Sequence, residues 1–196
     1  MFFEKRKAKG LEHLHGIIHA ISNRKIINFK YQKFWETEKS KKVISPYALK
    51  EFKNRWYVLG TEFNHNNSDF KIKSYGLDRI SDLEISSTKF IKQKINIEEI
   101  YKNSFGIFNT EDSEPQEIIL SFDREQANYI KALKLHDSQE IISDDLSQTT
   151  FKVYLVPTYD FQREILSYGN RVKIISPESL KSIIKKEVKS MLENLD

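Results

Sequence analysis

The chain has 196 residues, 39 % apolar and 31 % charged, with 13 Phe, 9 Tyr and 2 Trp, which suits one large or two small folded domains and excludes a disordered chain. Cysteine is absent, excluding disulfides, thiolate metal sites and a cysteine nucleophile and fitting the cytoplasm; no run approaches the roughly 20 apolar residues of a membrane span. The net charge of +4 hides an asymmetry: residues 1–100 hold 20 Lys and Arg against 12 Asp and Glu, and residues 101–196 hold 12 against 16, so an anionic ligand would be drawn to the first half.

Met1–Gly10 mixes Phe2 and Phe3 with Lys5, Arg6, Lys7 and Lys9. It lacks the apolar core of a secretory signal and reads as a linker or helix start. Leu11, Leu14, Ile18 and Ile21, with Ile17 beside them, recur at spacings of three and four, which predicts an amphipathic helix ending near Ser22-Asn23. From Lys25 the period falls to two, with Ile27, Phe29 and Tyr31 on one face of a strand.

Lys42–Leu49 is a second strand, in which Ser45-Pro46 suits an edge or a bend. Arg55–Phe63 is a third, followed by the turn-prone Asn64–Asp69. Phe70–Tyr75 alternates again, with Lys71, Lys73 and Tyr75 on one face. Gly76 is a place for a bulge before Leu77-Asp78-Arg79-Ile80. One helix and about five short strands predict a small closed β-barrel over residues 11–90.

A short helix at 97–104 and the acidic stretch Thr110–Pro115 form a connection over residues 91–115, and the domain boundary is expected between Phe108 and Gln116. The remainder reads as strand Gln116–Phe122, helix Arg124–Leu135, strand Gln139–Ser143, strand Thr149–Val156, helix Asp160–Tyr168 capped by Gly169, strand Arg171–Ile175, and a last helix Glu178–Leu195. Its strand-helix-strand-strand-helix-strand order over residues 116–196 is the ferredoxin-like one. The fold class is therefore α+β in two domains.

Pro46-Tyr47-Ala48-Leu49, then Arg55-Trp56-Tyr57-Val58-Leu59-Gly60, then Leu77-Asp78-Arg79-Ile80 together resemble the WYL-domain family of bacterial transcriptional regulators, with Val58 in place of the Leu of the Trp-Tyr-Leu run. Glu164–Gly169 and Val172–Glu178 resemble that family's C-terminal extension. The resemblance runs from about Leu11 to the end. It implies an Sm-like (SH3-type) barrel, a ferredoxin-like C-terminal module, and homodimers. It also implies an N-terminal winged helix-turn-helix that would contact DNA and that this sequence lacks.

The same resemblance implies a nucleic acid or nucleotide-like effector on the barrel. The candidate ligand-binding residues are Ser45, Tyr47, Arg55, Tyr57, Lys73, Tyr75 and Arg79. Cations that reach phosphate, interleaved with rings that stack a base, are what single-stranded nucleic acid requires. Arg79, Arg55 and the tyrosines have plainer explanations: an ion pair of Arg79 with Asp78 or Asp82, a solvated strand-end charge for Arg55, packing for the tyrosines. Lys73 stands where many members of the family have Arg, keeping charge without the bidentate fork. Trp56, on the alternate face, reads as core.

His15 and His19 are four apart, a spacing that can place two metal ligands on one helix face, but Gly16 stands where a metalloprotease helix needs its carboxylate and no third ligand follows. No phosphate loop, dinucleotide fingerprint or nucleophile elbow is present, so neither an enzyme nor a cofactor is expected. The sequence points to an effector-sensing region of a transcriptional regulator; the alternatives are a stand-alone Sm-like nucleic-acid-binding module and a regulatory lobe of a nuclease or helicase system.

Overall fold

The computed structural model describes residues 8–63 and 71–195. The basic stretch Met1–Lys7, the turn expected at Asn64–Asp69 and the start of a strand at Phe70 lie outside them. The chain divides into two compact units, one ending at Ile97 and the other starting at Glu98. Each is built on one antiparallel sheet.

In the first unit a 3-10 turn at Leu11–His13 leads into α1 (Leu14–Ser22), followed by β1 (Lys25–Tyr31), β2 (Ser40–Phe52), β3 (Arg55–Glu62), β4 (Lys73–Gly76) and β5 (Ile80–Lys89). The sheet order is β4-β3-β2-β1-β5; among the described residues no ladder joins β4 to β5. Ile27, Phe29 and Tyr31 of β1 form a core with Ile44, Val58, Tyr75 and Leu77. The period-two reading of β1 is thus the buried face of the sheet.

Three local readings change. Ile17 and Ala20 are the buried face of α1, with Leu14 and Ile21 packed beside them, whereas Ile18 is exposed. Ala20 was too small to register in an apolar count, so the expected stripe was rotated toward Ile18. Leu77–Arg79 forms a 3-10 turn and not a strand. Gly76 carries no bulge: its backbone is ordinary extended chain, φ −65° and ψ 129°, but a Cβ there would collide with the side chains of Arg79 and Asp78.

Pro46 sits in a central strand of the sheet, yet its place is intelligible. β1 pairs with β2 only from Tyr31↔Ser40 to Ile27↔Ile44, so Pro46 lies past the end of that ladder. On its other side the register with β3 shifts between Pro46 and Ala48. A residue without an N–H fits such a position. The β2–β3 hairpin turns through Lys53 and Asn54, both at positive φ (47° and 63°), the geometry of a two-residue primed turn.

The short helix α2 (Ile97–Tyr101) starts at the division, and the second unit continues with β6 (Gln116–Asp123), α3 (Arg124–Ala132), β7 (Glu140–Asp144), β8 (Gln148–Leu155), α4 (Tyr159–Ser167), β9 (Val172–Ser176) and α5 (Glu178–Glu193). Its sheet order is β7-β8-β6-β9. Leu120, Phe122, Phe151 and Val153 of the sheet pack with Ile130 of α3, Phe161 and Ile165 of α4 and Leu180 of α5. Asp123 caps α3, its Oδ1 accepting the Gln126 N–H at 2.8 Å. Gly169, at φ 58°, follows α4 as the sequence suggested.

Residues read from the sequence as part of the connection are held by this unit. Ser104 bridges to Val156, the Phe105 ring lies 5.5 Å from that of Phe161, and Asp160 accepts the Ile107 N–H at 3.0 Å. Glu111–Glu114 is exposed. In α5, Leu180 is buried and Ile184 packs against the core, while Ile183, Val188, Met191 and Leu192 are exposed, as is Leu195 just beyond.

Candidate functional site

The ends of β1, β3 and β4 bring the motif residues together in part. At the β4–β5 turn, Asp78 serves two arginines: Arg79 Nε donates to its Oδ1 at 3.4 Å, and Arg55 Nη1 to its Oδ2 at 3.5 Å. Arg55 arrives there because the tight Lys53-Asn54 turn places it first in β3. The ion pair considered for Arg79 is therefore with Asp78; Asp82 instead pairs with Lys30 at 2.7 Å.

The Arg79 guanidinium is flanked by two rings, its carbon 5.3 Å from the Tyr31 centroid and 5.2 Å from that of Phe34. Its side chain is only 15 % exposed. Rings on a guanidinium hold its plane without occupying its N–H groups. Among the described residues Asp78 is its only side-chain hydrogen-bond acceptor. Tyr31 is fixed in turn, its hydroxyl accepting the Gly76 N–H at 3.3 Å. Burial raises the Tyr31 pKa, with the Arg79 charge opposing, so the ring stays a neutral phenol.

This guanidinium borders an open cleft of about 330 Å³ lined by Gln32, Lys33, Phe34, Lys39, Asp78, Arg79, Ile80 and Ser81. Three cations and one carboxylate face it, a balance that favours an anion. Lys33 is paired with Glu36 at 2.7 Å, whereas Lys39 Nζ donates to Ser81 Oγ at 3.1 Å and, among the described residues, has no carboxylate at ion-pair distance.

The remaining expected residues lie elsewhere in the first unit. Lys73 Nζ sits 3.0 Å from Glu62 Oε2, and Glu62 Oε1 takes Lys42 at 3.3 Å and the Tyr75 hydroxyl at 3.3 Å. The hydrogen bond from Lys73 outweighs burial and holds the Glu62 carboxyl below its usual range. Burial and that carboxylate raise the Tyr75 phenol. Tyr75 stacks edge-on against Phe29 and Tyr31 at 5.5 and 5.2 Å. Lys73 and Tyr75 therefore share a face, as their alternation predicted, but around Glu62 instead of Asp78.

Tyr47 is buried, its hydroxyl accepting the Gln93 N–H at 3.2 Å and its ring 5.5 Å from Phe90. Ser45 is buried opposite Thr61, and Tyr57 is buried opposite Gly76. Trp56 packs, partly buried, against the core. His15 and His19 are exposed on α1, and no group of three metal-ligating side chains occurs among the described residues.

Sequence reasoning passed over the β1–β2 connection. Phe34 is 69 % exposed and Trp35 77 %. The signal was legible: Lys33-Phe34-Trp35 places a cation beside two rings directly after a strand.

The comparisons agree with the motif reading. The WYL domain profile matches residues 12–85 and the WCX domain profile residues 114–192. No curated protein matches the chain. Among solved structures it is similar to one described as a CRISPR Cas-related protein, at 15 % identity and a TM-score of 0.51, over 95 % of this chain and 53 % of that one. It is also similar to proteasome accessory factor B/C (PafBC) of Arthrobacter aurescens, at 16 % identity and a TM-score of 0.38, over 96 % of this chain and 28 % of that one. The chain thus spans about half or less of the length of these two proteins. Among the described residues no helix is long and apolar enough to cross a membrane.

Proposed function

The chain belongs to the WYL-domain family, with a WYL domain at residues 12–85 followed by a WCX domain at residues 114–192, and on that premise we propose that it is the effector-sensing region of a transcriptional regulator. The effector is anionic and nucleotide-like, and it binds the cleft beside Arg79. The strand order β4-β3-β2-β1-β5 after an N-terminal helix supports reading the first unit as an Sm-like barrel, and β7-β8-β6-β9 supports a ferredoxin-like second unit. No catalytic role is assigned to any residue.

One observation carries the ligand assignment: a guanidinium held between two rings at the edge of a cleft where cations outnumber carboxylates. Such a group is oriented before the ligand arrives, so little rotamer entropy is lost on binding. Arg55 tempers Asp78 by sharing it, leaving the Arg79 charge less fully compensated. Lys73, engaged at Glu62, has a secondary part.

The test is the affinity of short single-stranded oligonucleotides for the wild-type protein, Arg79→Ala and Lys134→Ala, across a salt series. Lys134 is an exposed control in the second unit. Affinity should fall as salt rises. Arg79→Ala should lose roughly 1–3 kcal/mol while Lys134→Ala loses nothing. Equal binding by all three proteins would remove the cleft from consideration.

The same reading includes a homodimer. Val188, Met191, Leu192 and Leu195 are exposed at helical spacing along α5 and its end, a stripe that a second copy could cover. Light scattering giving a monomer mass at every concentration would count against it.

A further inference from the structure

The β1–β2 connection, residues 32–39, presents two large aromatic side chains to solvent in succession, Phe34 and Trp35. Adjacent exposed rings on a small domain are a cost in water unless something covers them. The loop that carries them is held in place from several sides. The Gln32 N–H donates to the Arg79 carbonyl at 3.3 Å and the Glu36 N–H to the Lys33 carbonyl at 3.0 Å. The Gln32 side-chain amide donates to the carbonyls of Glu36 and Thr37 at 3.0 and 3.2 Å. The rings are therefore presented by a fixed turn.

Cations accompany both rings. Arg79 is 5.2 Å from the Phe34 centroid, and Lys33 Nζ is 5.8 Å from that of Trp35. Lys39 lines the same cleft. A protein partner would call for apolar surface around the rings; here Phe34 is bordered by Arg79 and Lys39, a charge suited to phosphates, while Trp35 lies beside Lys33, paired with Glu36, and beside Glu38.

We propose that Phe34 and Trp35 form a stacking platform for two successive bases of a single-stranded nucleic acid whose phosphates lie toward Lys39 and Arg79. The proposal rests on the anion-binding reading of the cleft and supplies what that reading lacks, since Tyr57 and Tyr75, the rings expected to stack bases, are buried. Aromatic stacking is tolerant of sequence because every base has a π-face. The platform accordingly selects for bases and single-strandedness, and not for a particular sequence.

The experiment measures binding of four labelled probes to the full chain: hexathymidylate, an abasic hexamer of equal charge, thymidine monophosphate, and phosphatidylglycerol vesicles. Hexathymidylate should bind at least about fivefold tighter than the abasic hexamer, the effect expected of one stacked base. Phe34→Ala and Trp35→Ala should each reduce that preference, and Phe34→Tyr should keep it. Both rings are exposed, so unchanged circular dichroism is expected for these variants. The chain's second tryptophan is Trp56; in a Trp56→Phe protein, hexathymidylate should quench the remaining Trp35 emission and the abasic hexamer should not.

Equal affinity for the two hexamers, with both weakened by Arg79→Ala, overturns the platform and leaves the anion site standing. Failure of both hexamers to bind overturns the anion site and the platform with it. Thymidine monophosphate binding as tightly as the hexamer overturns the two-base arrangement. Binding to vesicles alone assigns the rings to a lipid surface and overturns the nucleic-acid assignment.

Discussion

The hydroxyl of Tyr31 accepts the backbone N–H of Gly76 at 3.3 Å, across 45 positions of sequence. The bond joins the end of β1 to the end of β4 and fixes the ring that lies under Arg79. Replacing Tyr31 with Phe keeps the ring and strands the buried N–H. We expect Tyr31→Phe to destabilise the first unit by roughly 1–3 kcal/mol, the cost of an unsatisfied buried donor, read as a lowered midpoint in urea unfolding. Unchanged stability would mean that the bond contributes nothing.

Gly76→Ala tests the same corner differently. The added methyl meets the Arg79 guanidinium and the Asp78 carboxylate, while the extended backbone of Gly76 suits alanine. The expected outcome is a folded protein whose Arg79 is displaced. Oligonucleotide affinity should drop toward that of Arg79→Ala, with little change in the urea midpoint. Full affinity in a folded Gly76→Ala protein would show that the position of the guanidinium does not matter.

In the second unit His136 is partly buried, and burial lowers its pKa. Its Nδ1 also accepts the Ser138 N–H at 3.2 Å, which requires that nitrogen unprotonated. Below the ordinary histidine value of 6.5 the unfolded chain takes up a proton that the folded one refuses. The contribution should therefore be fully present above about 6.5 and fall as pH drops from there toward the depressed folded value. Urea midpoints for wild type and His136→Asn should converge as pH falls. Parallel pH profiles would remove His136 as the source.

Phe151 is fully buried in the second core, its ring 5.9 Å from that of Phe122. Phe151→Ala should cost about 3–5 kcal/mol, enough to consume much of a small domain's stability. A loss under about 1 kcal/mol would imply that the core collapses around the cavity. Thermal unfolding followed by near-ultraviolet circular dichroism gives the measurement.

Local signals were sufficient wherever the physics is local. The period-two run Ile27, Phe29, Tyr31 is buried in β1, and Gly169 follows α4 at positive φ. Those choices depend on neighbouring residues and on which face meets water, both written along the chain. The motifs around Pro46, Trp56 and Arg79 were enough to place the chain in its family.

Which charges face which was not written there. Lys73 and Arg79 were both candidates for one site; the pairing of β3 with β4 brings Lys73 to Glu62, whereas Arg79 pairs with its neighbour Asp78, one of the two partners the sequence offered. Tyr75 and Phe34 are both aromatic residues near cations, yet one is buried under the sheet and the other is exposed at its end. Gly76 looked like a bulge because a sequence cannot show that a guanidinium from three residues ahead folds back against its Cα. Hydrophobic period fixes a residue's face within its own element, whereas the partner of a charge or ring is set by strand pairing across tens of residues, and pairing exists only once the chain has folded.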